Sequence, residues 1–269
     1  MKKRIVIGDL HGRYGYLKDI YEHEDPDEVI LLGDYFDSWD IWPEDQEESY
    51  QKTLELRQEH LSKGRGSWIM LLGNHDTHYL PMWPGRCSGW SQDTEFRVQS
   101  KLNRGLNDGT LRMAWVDTDI RTIYSHAGLS QAWYEKWLSG SLGNIETVTF
   151  DAFRFVGADP YGDDPRNSPL WIRPGSLMGD PYQDESGHIW DQVFGHTESM
   201  SPAAWSKTGK DDEIGEFWCI DCLPKAYLRE TIDGTHVTRE LIDTFNHEVL
   251  PEVSEDLELS VLPGNDQRR

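Results

Sequence analysis

Five short polar motifs, each preceded by a short, largely apolar run, constrain this 269-residue chain more than any other feature of its sequence. They are Gly8-Asp9-Leu10-His11-Gly12, Gly33-Asp34-Tyr35-Phe36-Asp37, Gly73-Asn74-His75-Asp76, Ser125-His126-Ala127-Gly128 and Gly195-His196-Thr197. The runs before them, at 5–7, 29–32, 68–72, 121–124 and 192–194, read as buried strands. Helical spacing occupies the intervals. Tyr14, Leu17 and Tyr21 share a face, as do Tyr50, Leu54 and Leu61 in a helix opened by Pro43 and ended by Gly64. Ser91 can cap a helix carrying Phe96 and Leu102 and closed by Gly105, and Ser130 one carrying Trp133 and Trp137. Strands alternating with helices predict an α/β fold, and such sheets gather ligands beyond the carboxyl ends of their strands. Glycine there lets the chain turn tightly and present the next side chain.

Further along, 226–232 and 235–241 flank Asp233-Gly234 and predict a hairpin. The Gly-, Pro- and Asp-rich stretch 139–187 predicts a long excursion over the active-site face, where loops set specificity. One domain over 1–247 and an acidic tail over 248–269 account for the chain, with no internal repeat.

Acidic residues number 48 against 26 basic, a net charge of −22, which repels nucleic-acid backbones and argues against non-specific binding to them. It does not exclude phosphorylated substrates, because bound cations reverse the local sign. No run reaches the roughly 18–20 apolar residues of a membrane span. The apolar segment after Met1-Lys2-Lys3-Arg4 is too short for a signal-peptide core, so a cytoplasmic location is expected. The three cysteines fit a reducing compartment, and Cys219 and Cys222 read as structural thiols in a buried strand.

The motifs together supply carboxylates, imidazoles and an amide, a donor set suited to Mn²⁺, and also to Fe or Zn²⁺, rather than Ca²⁺. Singly each is weak: a lone histidine is more often a structural residue than a ligand, and Asp34 alone could be a turn residue. Their order as a set is what carries information. It resembles the calcineurin-like metallophosphoesterases, and the Gly-Asn-His-Asp form followed by Ser-His-Ala-Gly-Leu is similar to the branch of phosphoprotein phosphatases and symmetrical diadenosine tetraphosphatases. The resemblance runs from about Ile5 to Thr197, and on towards Leu241.

That resemblance implies a four-layer α/β/β/α sandwich and a hydrolase with two divalent transition-metal ions. Asp9 and His11 would bind the first metal, Asp34 would bridge, and Asn74, His126 and His196 would complete the second. A water or hydroxide between the ions would attack phosphorus in line. His75, supported by Asp37, would protonate the leaving oxygen. Arg173 matches a family arginine that clamps the phosphoryl group, whereas the arginine of the protein phosphatases after the second motif is replaced by Ser38. Arg13 is the candidate substitute. Among twelve tryptophans, Trp39, Trp42, Trp83, Trp90 and Trp171 fall near motif loops, where they could stack on a substrate or staple loops to the core. The expected substrate is a phosphomonoester, on a phosphoprotein or a phosphorylated small molecule. A dinucleoside polyphosphate or other nucleotide is the enzymatic alternative, and an inactive phosphatase-fold binding protein the non-enzymatic one.

Overall fold

In a strand, successive side chains alternate between faces, and this period of two dictates how the chain divides into layers. A computed structural model describes residues 1–80, 86–138, 142–146, 163–198 and 203–251. Trp83, parts of the expected excursion (139–141 and 147–162) and most of the expected tail (252–269) lie outside the described residues. In β1 (Lys2–Ile7), Ile5 and Ile7 pack against α1 (Tyr14–Glu24) and α2 (Pro43–Ser62), while Arg4 and Val6 face the opposite way. The same alternation in β2 (Glu28–Leu31) and β3 (Trp68–Leu71) sends Val29, Leu31, Trp68 and Met70 to the helices and Ile30, Ile69 and Leu71 inward.

The first sheet has six strands in the order β11-β10-β1-β2-β3-β4. Its members β1 to β4 (Leu111–Arg112) run parallel, and the hairpin β10 (Ala226–Asp233) and β11 (His236–Asp243) joins antiparallel at β1. The second sheet has five, ordered β5 (Ala114–Asp117), β6 (Thr122–Ser125), β7 (Asp191–Phe194), β9 (Ile214–Cys219), β8 (Ala203–Thr208), with β6, β7 and β9 parallel. The sheets face each other across a dry seam of Val6, Ile30, Leu71, Tyr124, Val193 and Ile220. Behind the second sheet, Leu177 of α6 (Pro174–Gly179) and Ile172 pack on Phe194 and Phe217, and Trp133 of α5 (Gln131–Trp137) is buried. The architecture is thus the expected α/β/β/α sandwich. No helix among the described residues is long and apolar enough to cross a membrane.

Strand ends shift by a residue in places, and the boundaries of α4 and the hairpin turn differ from expectation in ways that packing explains. Helix α4 spans Glu95–Asp108, after Thr94 rather than Ser91, and passes through Gly105 to end at Gly109, whose φ of +76° terminates it. In the hairpin, Asp233 pairs with His236, so the two-residue turn is Gly234-Thr235.

Alternation also places charges in the seam. Arg239, Glu230, Arg4 and Glu28 are cross-strand neighbours on four adjacent strands, with signs alternating. Arg4 is buried, and donates to Glu28 at 2.7 Å, Glu230 at 3.1 Å, and across the seam to Asp117 at 2.7 Å and the Tyr124 hydroxyl at 2.8 Å. Arg239 similarly bonds Glu230 at 2.9 Å and reaches Asp191 of the second sheet at 2.7 Å. Removing one member of such a buried set leaves its partners charged and dry. Arg4→Met should therefore lower unfolding free energy by about 3–5 kcal/mol in a urea titration. A loss under about 1 kcal/mol would mean that water screens the layer.

Candidate metal centre

At the other end of the seam, the parallel strands of both sheets release their chains into one cleft. Asp9 follows β1, Asp34 follows β2, Asn74 opens the four-residue helix α3 (Asn74–Thr77) after β3, His126 follows β6 and His196 follows β7. All five are buried, while His11 is partly open. Their donor atoms converge. Asn74 Oδ1 lies 2.8 Å from His126 Nε2 and 2.9 Å from His196 Nδ1. Asp34 Oδ2 lies 3.5 Å from His126 Nε2 and 3.8 Å from His11 Nε2. Donor atoms of Asp9, Asp34 and His126 all fall within 4.8 Å of one another.

Neighbouring backbone fixes which ring nitrogen is free. His11 Nδ1 is 2.6 Å from the Phe36 carbonyl, and His126 Nδ1 is 3.0 Å from that of Leu32. A carbonyl only accepts, so each Nδ1 carries the proton and each Nε2 turns a lone pair to the centre, the usual arrangement of a metal-ligating histidine. The carboxylates are fixed likewise: Asp34 Oδ1 accepts from His75 N at 2.9 Å, and Asp9 accepts from His196 N at 3.1 Å. Space for these groups exists only because glycine lacks a side chain. A Cβ at Gly73 would fall 1.9 Å from Asp34 Oδ1, and one at Gly195 2.2 Å from Asp9 Oδ1. His11, Asp34, Asp37 and His196 also adopt positive φ, at 41°, 51°, 67° and 65°, conformations that non-glycine residues seldom take.

Burial pushes the His11 imidazole down to about 4 and that of His126 to about 3, and lowers His196 as well, so the rings remain neutral lone-pair donors. Burial, reinforced by neighbouring carboxylates, pushes Asp9 and Asp34 well above the usual carboxylate range. Neutral imidazoles and crowded, desolvated carboxylates form a donor set that a divalent cation would satisfy, and the residues fit a metal pair.

Around this core the expected auxiliary residues are brought together. His75 Nδ1 lies 3.0 Å from Asp37 Oδ2, and the His75 ring is 5.3 Å from that of His11. Burial alone would raise the Asp37 carboxyl, but the His75 and His78 rings outweigh it and hold it below its ordinary value. Arg173 Nη1 donates to the His196 carbonyl at 3.0 Å and to Thr197 Oγ1 at 3.2 Å, and the Trp171 ring meets the His196 ring edge-on at 5.4 Å. Arg13 pairs with Asp40 at 3.1 Å, and Asp40 in turn accepts from the hydroxyl of Ser38. Trp39 and Trp42 are 72% and 77% exposed, and the Trp39 ring is 6.4 Å from that of His11. Trp90 instead lies under the Arg86 guanidinium.

Several residues join the site without having been singled out from sequence for the part they take. Asp76 accepts from the backbone of Gly73, Asp34 and Tyr35 at 2.8–2.9 Å, tying the second and third motif loops together. His78 Nε2 lies 2.6 Å from Asp37 Oδ2, and Tyr79 donates to Asp37 Oδ1 at 2.6 Å. The three-residue beat of His75 and His78 was a readable signal. Asp221, just past β9, lies beside Asp9; it lay hidden in a segment read for its thiols, of which Cys219 ends β9 and Cys222 is buried beyond it rather than in the expected strand.

The sequence profile of the calcineurin-like phosphoesterases matches residues 2–218. No curated protein matches the chain. Among solved structures, the chain is similar to a predicted phosphoesterase of Streptococcus pneumoniae, at 12% identity and a TM-score of 0.38, covering 94% of each chain. A metallophosphoesterase of Sphaerobacter thermophilus shares 12% identity at a TM-score of 0.38, with 90% of this chain and 88% of that one covered. A dimetal phosphatase of Danio rerio shares 10% identity at a TM-score of 0.41, with 93% and 98% covered. A family profile that runs through all five motifs, on a chain whose strand ends gather their donors in one cleft, makes this protein a member of the calcineurin-like phosphoesterase family, metal-dependent hydrolases of phosphate esters.

Proposed function

We propose that the protein is a dinuclear phosphomonoesterase acting on a phosphoprotein or a phosphorylated small molecule. The observation that carries this reading is the convergence of Asp9, His11, Asp34, Asn74, His126 and His196 beside an Asp37-supported histidine. Asp9 and His11 would hold the first ion, and Asn74, His126 and His196 the second. Asp34 would serve both, a role supported by its Oδ2 lying near both His11 and His126. Mn²⁺ is the proposed occupant, with Fe or Zn²⁺ compatible with the same donors. When bound, two such ions would supply positive charge for the phosphoryl oxygens and lower the pKa of a nearby water.

The chain's own residues do the remaining work. With Nδ1 turned to Asp37, His75 has Nε2 free to protonate the departing oxygen. Arg173, tethered to the loop of His196, neutralises charge that spreads over the phosphoryl oxygens. Arg13, drawn by Asp40 towards Ser38, stands in for the arginine missing there. The three thiols, none of them in a disulfide, fit a cytoplasmic setting. A nucleotide or dinucleoside polyphosphate is the second reading, favoured by the exposed Trp39 beside His11, which offers a base a stacking surface. A hydrolysis screen with Mn²⁺ separates the two, comparing p-nitrophenyl phosphate, phosphopeptides and diadenosine tetraphosphate.

Three outcomes are expected. Asp34→Asn should lose bound metal, measured by plasma emission, together with activity, since a neutral amide cannot hold two dications together. Full activity in a thoroughly chelated wild type would sink the dinuclear model. His75→Asn should keep its metals but lose ~10²–10⁴-fold in rate on alkyl phosphates and far less on p-nitrophenyl phosphate, whose leaving group needs little proton help. Equal losses across a leaving-group series would assign His75 to phosphate binding instead. Arg173→Ala should raise KM and lower kcat on every phosphate substrate, and unchanged constants would remove it from the clamp.

A further inference from the structure

A sixth parallel strand also ends in the cleft, and it too delivers a carboxylate. Asp221 follows β9, which pairs in parallel with β7, the strand that carries His196. The pairing continues past the strand, with Ile220 N donating to the Phe194 carbonyl at 2.8 Å. On its other side the Ile220 carbonyl is pressed against the first motif, where a Cβ at Gly8 would fall 2.1 Å from it. The backbone at Asp221 is therefore wedged between the His196 strand and the Gly8-Asp9 turn. Its side chain, partly exposed, lies beside the Asp9 carboxyl group and interacts electrostatically with Glu198, Arg173 and His75.

We propose that Asp221 is a positioning residue of the first metal site, its carboxylate set beside that of Asp9 and adding negative charge that strengthens cation binding there. The inference rests on the two-metal reading given above. Asp9 is gripped on one side by His196 N, at 3.1 and 3.2 Å from its two oxygens. Asp221 approaches Asp9 from the end of β9, a strand that the five motifs do not include. Two neighbouring carboxylates repel, and a dication on Asp9 turns that repulsion into attraction. Outer-shell partners of this kind typically change metal affinity about 10–100-fold when removed.

The test uses full-length protein stripped of metal by chelation and titrated with Mn²⁺, with calorimetry for affinity and electron paramagnetic resonance for the number of ions bound. Asp221→Asn keeps a hydrogen-bonding group of the same shape and removes the charge, while Asp221→Ala removes both. Binding at one of the two sites should weaken about 10-fold in the Asn variant and towards about 100-fold in the Ala variant. The other site should be unchanged, and the metal-free melting temperature of Asp221→Asn should be no lower than that of the wild type. Wild-type affinity at both sites in both variants would overturn the inference while leaving the two-metal reading intact. So would equal weakening at both sites with a lowered metal-free melting temperature, the mark of a merely structural strand end. A wild type that takes up fewer than two Mn²⁺ would instead overturn the two-metal reading and the inference with it.

Discussion

Asp9 and Asp34 occupy volume that a side chain at Gly195 or Gly73 would need, and the rest of the centre depends on that substitution of ligand for Cβ. It lets a carboxylate from one strand end lie against the backbone of the next, so donors from both sheets come within 4.8 Å without opening the sandwich. The same closeness removes water from the carboxylates, which keeps their charge unscreened and therefore useful to a cation. A methyl group at either glycine would have to displace the ligand it now touches. The glycines are thus as much a part of the binding site as the residues that face it.

The seam between the sheets is graded along its length. Towards the amino ends of the parallel strands it is ionic, with Arg4 and Arg239 each bound to carboxylates of both sheets. Its middle is apolar, with Val6, Ile30, Tyr124 and Val193 in one cluster. At the carboxyl ends it becomes polar again, but with negative charge in excess. The first polar end is complete in itself, every arginine answered by acids. The second lacks cations of its own among the described ligand residues, and this asymmetry separates a structural clamp from a binding site.

Much of this was legible because the relevant signals are local. A strand, a glycine turn and a polar side chain follow one another within a few residues, so β1, β2, β3, β6 and β7 and the six donors beyond them could be read directly. Strands β4, β5 and β8 could not. They are short or half polar, and pairing with a neighbour rather than composition makes them strands. The start of α4 was misplaced because Ser91 and Thr94 are both competent capping residues, and only tertiary packing chooses between them. The role of Asp76 depends on which loop folds over it, and that of Asp221 on β9 lying beside β7, facts of topology that no spacing encodes. Aromatic residues were the least readable: Trp39 and Trp42 stand in solvent while Trp133 is buried, and nothing in their sequence neighbourhoods distinguishes them.

The positive backbone angles at His11, Asp34, Asp37 and His196 carry a consequence for the life of the protein rather than for its chemistry. Each holds a bulky or charged residue in a conformation that disfavours folding by about 1–3 kcal/mol, and all four lie in the cleft. The chain must therefore reach its native shape against tension located where its ligands are. Metal uptake offsets that cost, because ions that bind only the native arrangement stabilise it increasingly as their supply rises. Scarcity of metal would then thin the population of intact molecules as well as silencing those that remain, linking the abundance of this enzyme to the mineral state of its surroundings.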